Sequence, residues 1–445
     1  MKIKALSRSK EDCTRERKQD LHVVRRNLDP TLHPFEQARE YTRAVNSAKL
    51  DRMFAKPFIG ALSGHADGVY CMARRSTDLK SLISGSGDGE VKLWHIPEQK
   101  CTWSVQGHRG IVRGVCNFPE GSQFLSVGSD KTVKLWDTQR SDGQSIYEPV
   151  EVFTGNDVFT GVDHHRSRPS FVTSSSKVDI WDLQHSQPIQ TFSWGADTIN
   201  SVKFNQTEQE VFASCGSDRS VILYDLRMST PLAKLVMRMS TNALAWNPME
   251  AFMFTTANED HNCYTFDMRN MKSAVNVLKD HVSAVLDVDY SPTGQEIVTG
   301  SYDRSLRIFR NGEGHSRDIY HTKRMQRLFC VKYSMDSKFI LSGSDDGNIR
   351  LWKSKASEKL GPIGFRERAH LQYSEKLKDR YEHMPEVRRV VKHRHVPKAI
   401  AKASKTKRII VDSRKVKEAN RRLHSAPGTV PVEAERKKSI VHVEK

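Results

Sequence analysis

No apolar run in the 445 residues approaches the roughly 20 needed to span a bilayer. The opening stretch, MKIKALSRSKEDCTRERK, lacks the apolar core of a secretory leader. Cysteine is sparse: Cys13, Cys71, Cys101, Cys116, Cys215, Cys263 and Cys330 include no CxxC and no paired spacing. That argues against a disulfide framework and a zinc site, and for reduced thiols in the cytosol or nucleus. No nucleophile stands with a base, and no carboxylate pair stands outside turn positions, so no catalytic residue can be assigned. A soluble, intracellular, non-enzymatic protein is expected, with no cofactor, metal, membrane or small-molecule substrate.

Acid is scarce at the two ends. Residues 1–56 hold 14 Lys+Arg against 8 Asp+Glu, and residues 354–445 hold 25 against 11, whereas residues 57–353 hold 32 against 34. The whole +18 excess therefore lies outside a near-neutral middle. Cationic ends on a neutral body point to a polyanion held by the ends.

The middle is a repeat. Ser84–Trp94 (SGSGDGEVKLW) returns as Ser126–Trp136 and again around Ser342–Trp352, with weaker copies between. The terminal aromatics Trp94, Trp136, Trp181, Tyr224, Phe266, Phe309 and Trp352 are 42, 45, 43, 42, 43 and 43 residues apart by subtraction. Within each unit, short apolar runs alternate with Gly/Asp/Asn turns, which fits a four-stranded blade. One blade cannot bury both faces of its sheet, so seven must stack in a ring. The expected fold class is all-β, a seven-bladed propeller over 57–353, between an N-terminal extension (1–56) and a basic helical C-terminal domain (354–445). The last repeat lacks a fourth strand, and Phe58–Leu62 would supply it, removing open edges.

These units resemble the WD-repeat family: Gly64-His65 and Gly107-His108 open repeats, and Trp136-Asp137 and Trp181-Asp182 are literal WD dipeptides. The resemblance implies a buried polar set in each blade. His65, Asp88 and Trp94 match it, as do His108, Asp130 and Trp136, while His281 and Asp303 precede Phe309, which has no indole N–H. The third repeat has Lys177 near the turn, and the fifth has Glu259-Asp260 before Phe266. Both are expected to rely more on packing.

Outside the ring, residues 1–30 are polar and expected to be extended. Phe35, Ala38, Tyr41, Val45 and Ala48 predict a helix at about 34–54, packed on the propeller rim or docked to a partner. Phe365, Ala369, Tyr373, Leu377 and Tyr381 predict another at about 365–382, ended by Pro385. A third is predicted at about 404–424, with Ile409, Val416 and Leu423 on one side.

The strongest functional signal is Arg388 to Arg422, with 14 Lys+Arg against 2 acids. The candidate RNA-contacting residues are Arg388, Arg389, Lys392, His393, Arg394, His395, Lys398, Lys402, Lys405, Lys407, Arg408, Arg414, Lys415, Lys417, Arg421 and Arg422. Such a run suits phosphates. The competing reading is a solvated nuclear-import tail, which would not need Val390, Val391, Ile409, Ile410 and Val411. With no aromatic in the segment to stack on bases, specific base reading is not indicated. The Gly85–Gly89 turn lacks the Lys-Ser/Thr and the helix of a phosphate loop. His164-His165 and His393/His395 lack partners for a metal site. Tyr224-Asp225-Leu226-Arg227 and Phe266-Asp267-Met268-Arg269 end third strands of consecutive repeats. In some WD-repeat proteins a W-D-x-R there docks a cullin-RING ligase adaptor, so Asp225, Arg227, Asp267 and Arg269 are candidates. A plain salt bridge to a neighbouring loop is the alternative.

Longer stretches carry a closer resemblance: RNLDPTLHPFEQAREY (Arg26–Tyr41), AKPF (Ala55–Phe58), WNPMEAFMFTTANED (Trp246–Asp260), DHVSAVLDVDYSPTG (Asp280–Gly294), YHTKRMQ (Tyr320–Gln326) and KHRHVPKAI (Lys392–Ile400). Over almost its whole length the chain resembles the family of WD-repeat proteins with a C-terminal Sof-one domain. The resemblance implies a nucleolar component of the small-subunit processome, associated with the U-three small nucleolar ribonucleoprotein and needed for early pre-rRNA cleavages. In animals it also implies a substrate receptor of cullin-four ubiquitin ligases.

Overall fold

The computed structural model describes residues 29–119, 121–138, 147–193, 197–426 and 428–444. The stretch 1–28, expected to be extended, lies outside them. Two compact units form: residues 29–57 with 355–393, and residues 58–354 with 394–444.

In the larger unit the short β-branched and aromatic runs become seven sheets, each a blade of antiparallel strands, consecutive in the chain in five of them. The first strand of each blade touches the first strand of the next all the way round, so the ring is closed. Closure works as the sequence predicts. Phe58–Ser63 pairs antiparallel with Asn348–Lys353, Phe58 opposite Trp352, and completes the last blade. The terminal aromatics are buried between blades: Trp94, Trp136, Trp181, Tyr224 and Trp352 are each at most 2% exposed.

Neighbouring blades are also tied by carboxylates on the inner strands. Asp163 accepts the Phe204 N–H (2.8 Å), Asp287 the Val331 N–H (2.8 Å) and Asp289 the Tyr333 N–H (2.9 Å). Lys203 and Lys332 lie beside these carboxylates and balance the charge. On a strand, alternating Asp residues read as a solvated face; here they cross to the next blade instead.

One sheet has five strands. Ile440–Glu444 pairs antiparallel with Ala233–Met237 at the outer edge of blade four, where no strand was expected. Ile440 and Val443 pack against the core of blades four and five, and the Arg436 carbonyl accepts the Ala274 N–H (3.0 Å). Helix α4 (Lys398–Leu423) belongs to the same unit. It starts six residues before the predicted 404, because Lys398 to Lys402 are Lys, Ala and Ile following Pro397, a run with no helix breaker.

The smaller unit is helical: α1 (Glu36–Met53), α2 (Phe365–Arg380) and α3 (Pro385–Lys392). Pro385 was expected to end α2, but α2 stops earlier, at Arg380, and Pro385 instead opens α3 at a first-turn position, where its missing N–H has no partner to lose. Ala44 and Val45 of α1 share a core with Leu377, Tyr381 and Val387. Glu40 accepts from Arg380 Nη1 (2.9 Å) and from the Tyr381 hydroxyl (3.0 Å). The α2 stripe is thus used from Tyr373 onward, and Phe365 stays 37% exposed.

Candidate nucleic-acid interface

The blade fasteners show how rigid the platform is. In blade two His108 Nδ1 meets Asp130 (3.0 Å), its Nε2 meets Ser126 Oγ (2.7 Å), and Trp136 Nε1 donates to the same Oγ (2.8 Å). In blade six His281 lies between Asp303 (3.0 Å) and Thr299 (2.7 Å), beside Phe309. Blade one departs from the expected set. His65 Nε2 and Trp94 Nε1 share Ser84 Oγ, each at 2.7 Å, but Asp88 accepts the Glu90 N–H (3.0 Å) rather than His65. Glu90 is the carboxylate nearest His65, at 3.6 Å. The physical reason is local: Asp88 caps its own turn, and Lys92 draws Glu90 in at 3.1 Å. His65, Asp88 and Glu90 have their donor atoms close together, but that lysine fills the charge a cation would bring.

The hydroxyl that joins histidine to tryptophan was missed in the sequence. It recurs ten residues before the terminal aromatic, as Ser84, Ser126, Ser214, Thr299 and Ser342, and that spacing is the signal that finds it. Blade three has neither His nor Asp in the set. It keeps the Trp181 bond to Thr173 (2.9 Å) and adds Phe153, Phe159 and Phe171 around the indole. Blade five replaces the set with Thr255, bonded to Thr265 (3.0 Å) and the Tyr290 hydroxyl (2.6 Å). His164 packs on Phe118, and burial lowers its pKa to about 4. His165 Nδ1 accepts the Ser167 and Arg168 N–H groups.

The two Asp-x-Arg sites are not equivalent. Asp225 and Asp267 each accept the N–H of the arginine two residues on (3.0 Å). Arg269 folds back on Asp267 through Nε (3.1 Å) and Nη2 (2.8 Å), and lies 4.4 Å over the Phe252 ring. Its hydrogen bond and charge hold Asp267 below the usual carboxylate range. Arg227 is exposed, and its guanidinium has no partner among the described residues.

The basic segment divides between the two units. Arg388, Arg389 and Lys392 are exposed on α3, and the backbone N–H of His393 caps that helix on the Val390 carbonyl (3.3 Å). In the propeller unit, Arg394 donates to the Ser316 carbonyl (3.4 Å), and the His395 carbonyl meets His321 (3.4 Å). Lys407 departs from the expected phosphate-facing role: it donates to the His281 carbonyl (2.9 Å), and burial lowers its pKa. Arg408 and Arg422 lie near Asp412 (3.8 Å) and Glu418 (3.5 Å) on the same helix. Lys398, Lys402, Lys405, Arg414, Lys417 and Arg421 are exposed, with no ion-pair partner among the described residues, and Lys415 is exposed with its charge acting on Glu435. The arrangement can hold a polyanion along α4 and, separately, along α3.

Comparison with known proteins fits this geometry. Residues 354–440 match the Sof1-like domain, and 56–95, 99–137, 186–225, 272–310 and 313–353 match the WD domain, G-beta repeat. The matched repeats are blades one, two, four, six and seven. The chain is thus a WD-repeat propeller protein carrying a Sof1-like domain. It is 52% identical to the DDB1- and CUL4-associated factor 13 of Xenopus laevis and 51% to that of Homo sapiens, with 100% of each chain covered. It is 50% identical to Protein SOF1 of Saccharomyces cerevisiae, over 99% of this chain and 94% of that one. The chain belongs to the family of these WD-repeat proteins with a C-terminal Sof1-like domain.

Proposed function

We propose that this protein is a non-catalytic scaffold of the small-subunit processome, working in the nucleolus with the U-three small nucleolar ribonucleoprotein on early pre-rRNA cleavage. The propeller docks neighbouring proteins, and the basic C-terminal helices contact pre-ribosomal RNA. The observation that carries the RNA contact is the set of solvent-facing cations on α3 and, separately, on α4, with few acids to neutralise them. The whole-length relation to Protein SOF1 supports the assignment. Changing Arg388, Arg389, Lys392, Lys398 and Lys402 to Glu should abolish co-sedimentation with pre-ribosomes while the propeller melts as before. Unchanged co-sedimentation would remove the tail from RNA binding.

A second role is supported by the name of the animal relatives and by Arg227: a substrate receptor docking a cullin-four ligase adaptor. Because Arg269 is held by Asp267 and Phe252, Arg227→Ala should weaken adaptor pull-down more than Arg269→Ala. Full retention in the double variant would exclude both arginines.

A further inference from the structure

The second half of α4 carries a pattern that RNA binding does not explain. Residues 408–421 are all exposed. Ile400 is buried and Lys407 is bonded to the propeller, so the helix face through these two residues points inward. Ile409, Val416 and Leu423 lie on the opposite face, 61%, 58% and 80% exposed. They are spaced seven residues apart, and each directly follows a cation: Arg408, Lys415 and Arg422. A cation–aliphatic pair repeated every seven residues makes one aliphatic seam along the helix, flanked by positive charge.

We infer that this outer face of α4 docks an acidic amphipathic helix of another protein. Seven-residue spacing is the repeat by which one helix packs its side chains into a second; strands and nucleic acid have no such period. The seam from Ile409 to Leu423 is about 21 Å long at 1.5 Å per residue, enough for roughly four turns of a partner. Branched aliphatic side chains offer phosphates no hydrogen bond and bases no ring to stack on, so the seam adds nothing for RNA. The flanking cations select an acidic partner and repel a second copy of this helix. Residues 1–28, with nine Lys+Arg against four Asp+Glu, are disfavoured for the same reason. Asp412, the acid within the seam, is already near Arg408. RNA keeps α3, the first half of α4, where the same face carries Lys398, Lys402 and Lys405 ahead of the aliphatic seam, and the cations Arg414, Lys417 and Arg421, which lie on another side of the helix.

The test uses the full chain in its particle, with a photo-crosslinking phenylalanine analogue replacing Val416. The expected product is a protease-sensitive, RNase-resistant adduct that maps to an acidic segment with heptad-spaced aliphatics. Its yield should fall at least fivefold when Arg408→Glu and Lys415→Glu are added. An RNase-sensitive adduct, no adduct, an adduct to a basic segment, or a yield indifferent to charge reversal would overturn the inference. An assay on purified full-length protein covers a variant that fails to assemble. A helical peptide with Leu in heptad positions and Glu flanks should bind at least tenfold more tightly than its Lys-flanked version, and equal binding would also overturn the inference. The same analogue placed at Lys402 reports RNA contact, so failure of the seam and failure of the RNA reading give different results.

Discussion

At the scale of single residues, the propeller depends on small hydroxyl groups more than on the residues that name the repeat. Ser126 serves both His108 and Trp136, while Thr299 serves His281 and, more weakly, the Arg307 carbonyl (3.4 Å), because Phe309 has no N–H to give. Ser126→Ala should therefore strand two buried groups and cost roughly 2–5 kcal/mol, and Thr299→Val about half as much. Thermal unfolding of the two variants checks the order, and equal losses would refute it. His65 gives a pH dependence. Burial, then Lys92, lowers its pKa to about 4 from the ordinary 6.5. The unfolded chain takes up that proton first as pH falls, so stability is complete above about 6.5 and is lost between 6.5 and 4. His65→Gln should melt lower at pH 7.5 yet lose less on going to pH 5. The histidines, aspartates and tryptophans were legible because they stand at repeat positions. Asp287 and Asp289 were not, since nothing in one strand says which neighbour its carboxylates reach.

At the scale of elements, the unexpected strand Ile440–Glu444 covers the edge of Ala233–Met237. An open strand edge at that place would present unpaired backbone groups. Ending the chain before Glu433 should raise amide exchange in Ala233–Met237 and lower the melting temperature by a few degrees, leaving blade one unaffected. Unchanged exchange would mean that the strand contributes nothing to blade four. Periodicity predicted α1 and α2 to within about two residues at each end, and α4 with a start six residues late, because each is long. It could not find a five-residue strand whose only signal, IVHVE, resembles any alternating tail. It placed Tyr41, Val45 and Ala48 on the packed side of α1, but Phe35, which fits the same spacing, is 72% exposed, and Glu40 is buried by pairing with Arg380 and Tyr381.

At the scale of the molecule, charge is separated from architecture: the ring repeats and stays near neutral, and the positive excess lies in segments outside it. If about six of the exposed cations meet phosphates, RNA affinity should fall roughly a thousandfold between 50 and 200 mM salt. Each cation removed should lower the slope of log affinity against log salt by about one, and a slope unaffected by Lys402→Ala would place the contact elsewhere. The seven-fold repeat and the basic run were both plain in the sequence. The division of that run between two units was not, because it depends on which surfaces α3 and α4 bury. Ring closure also bears on biosynthesis. Phe58–Ser63 leaves the ribosome first among the blade strands, but its partner Asn348–Lys353 follows nearly three hundred residues later. At about 5–20 residues per second the nascent chain carries an unpaired strand for roughly fifteen seconds to a minute. Six blades can be assembled in that interval, but the ring cannot shut, and a chaperone that shields Phe58–Ser63 until the last blade emerges would act at the step where this fold is most exposed to mispairing.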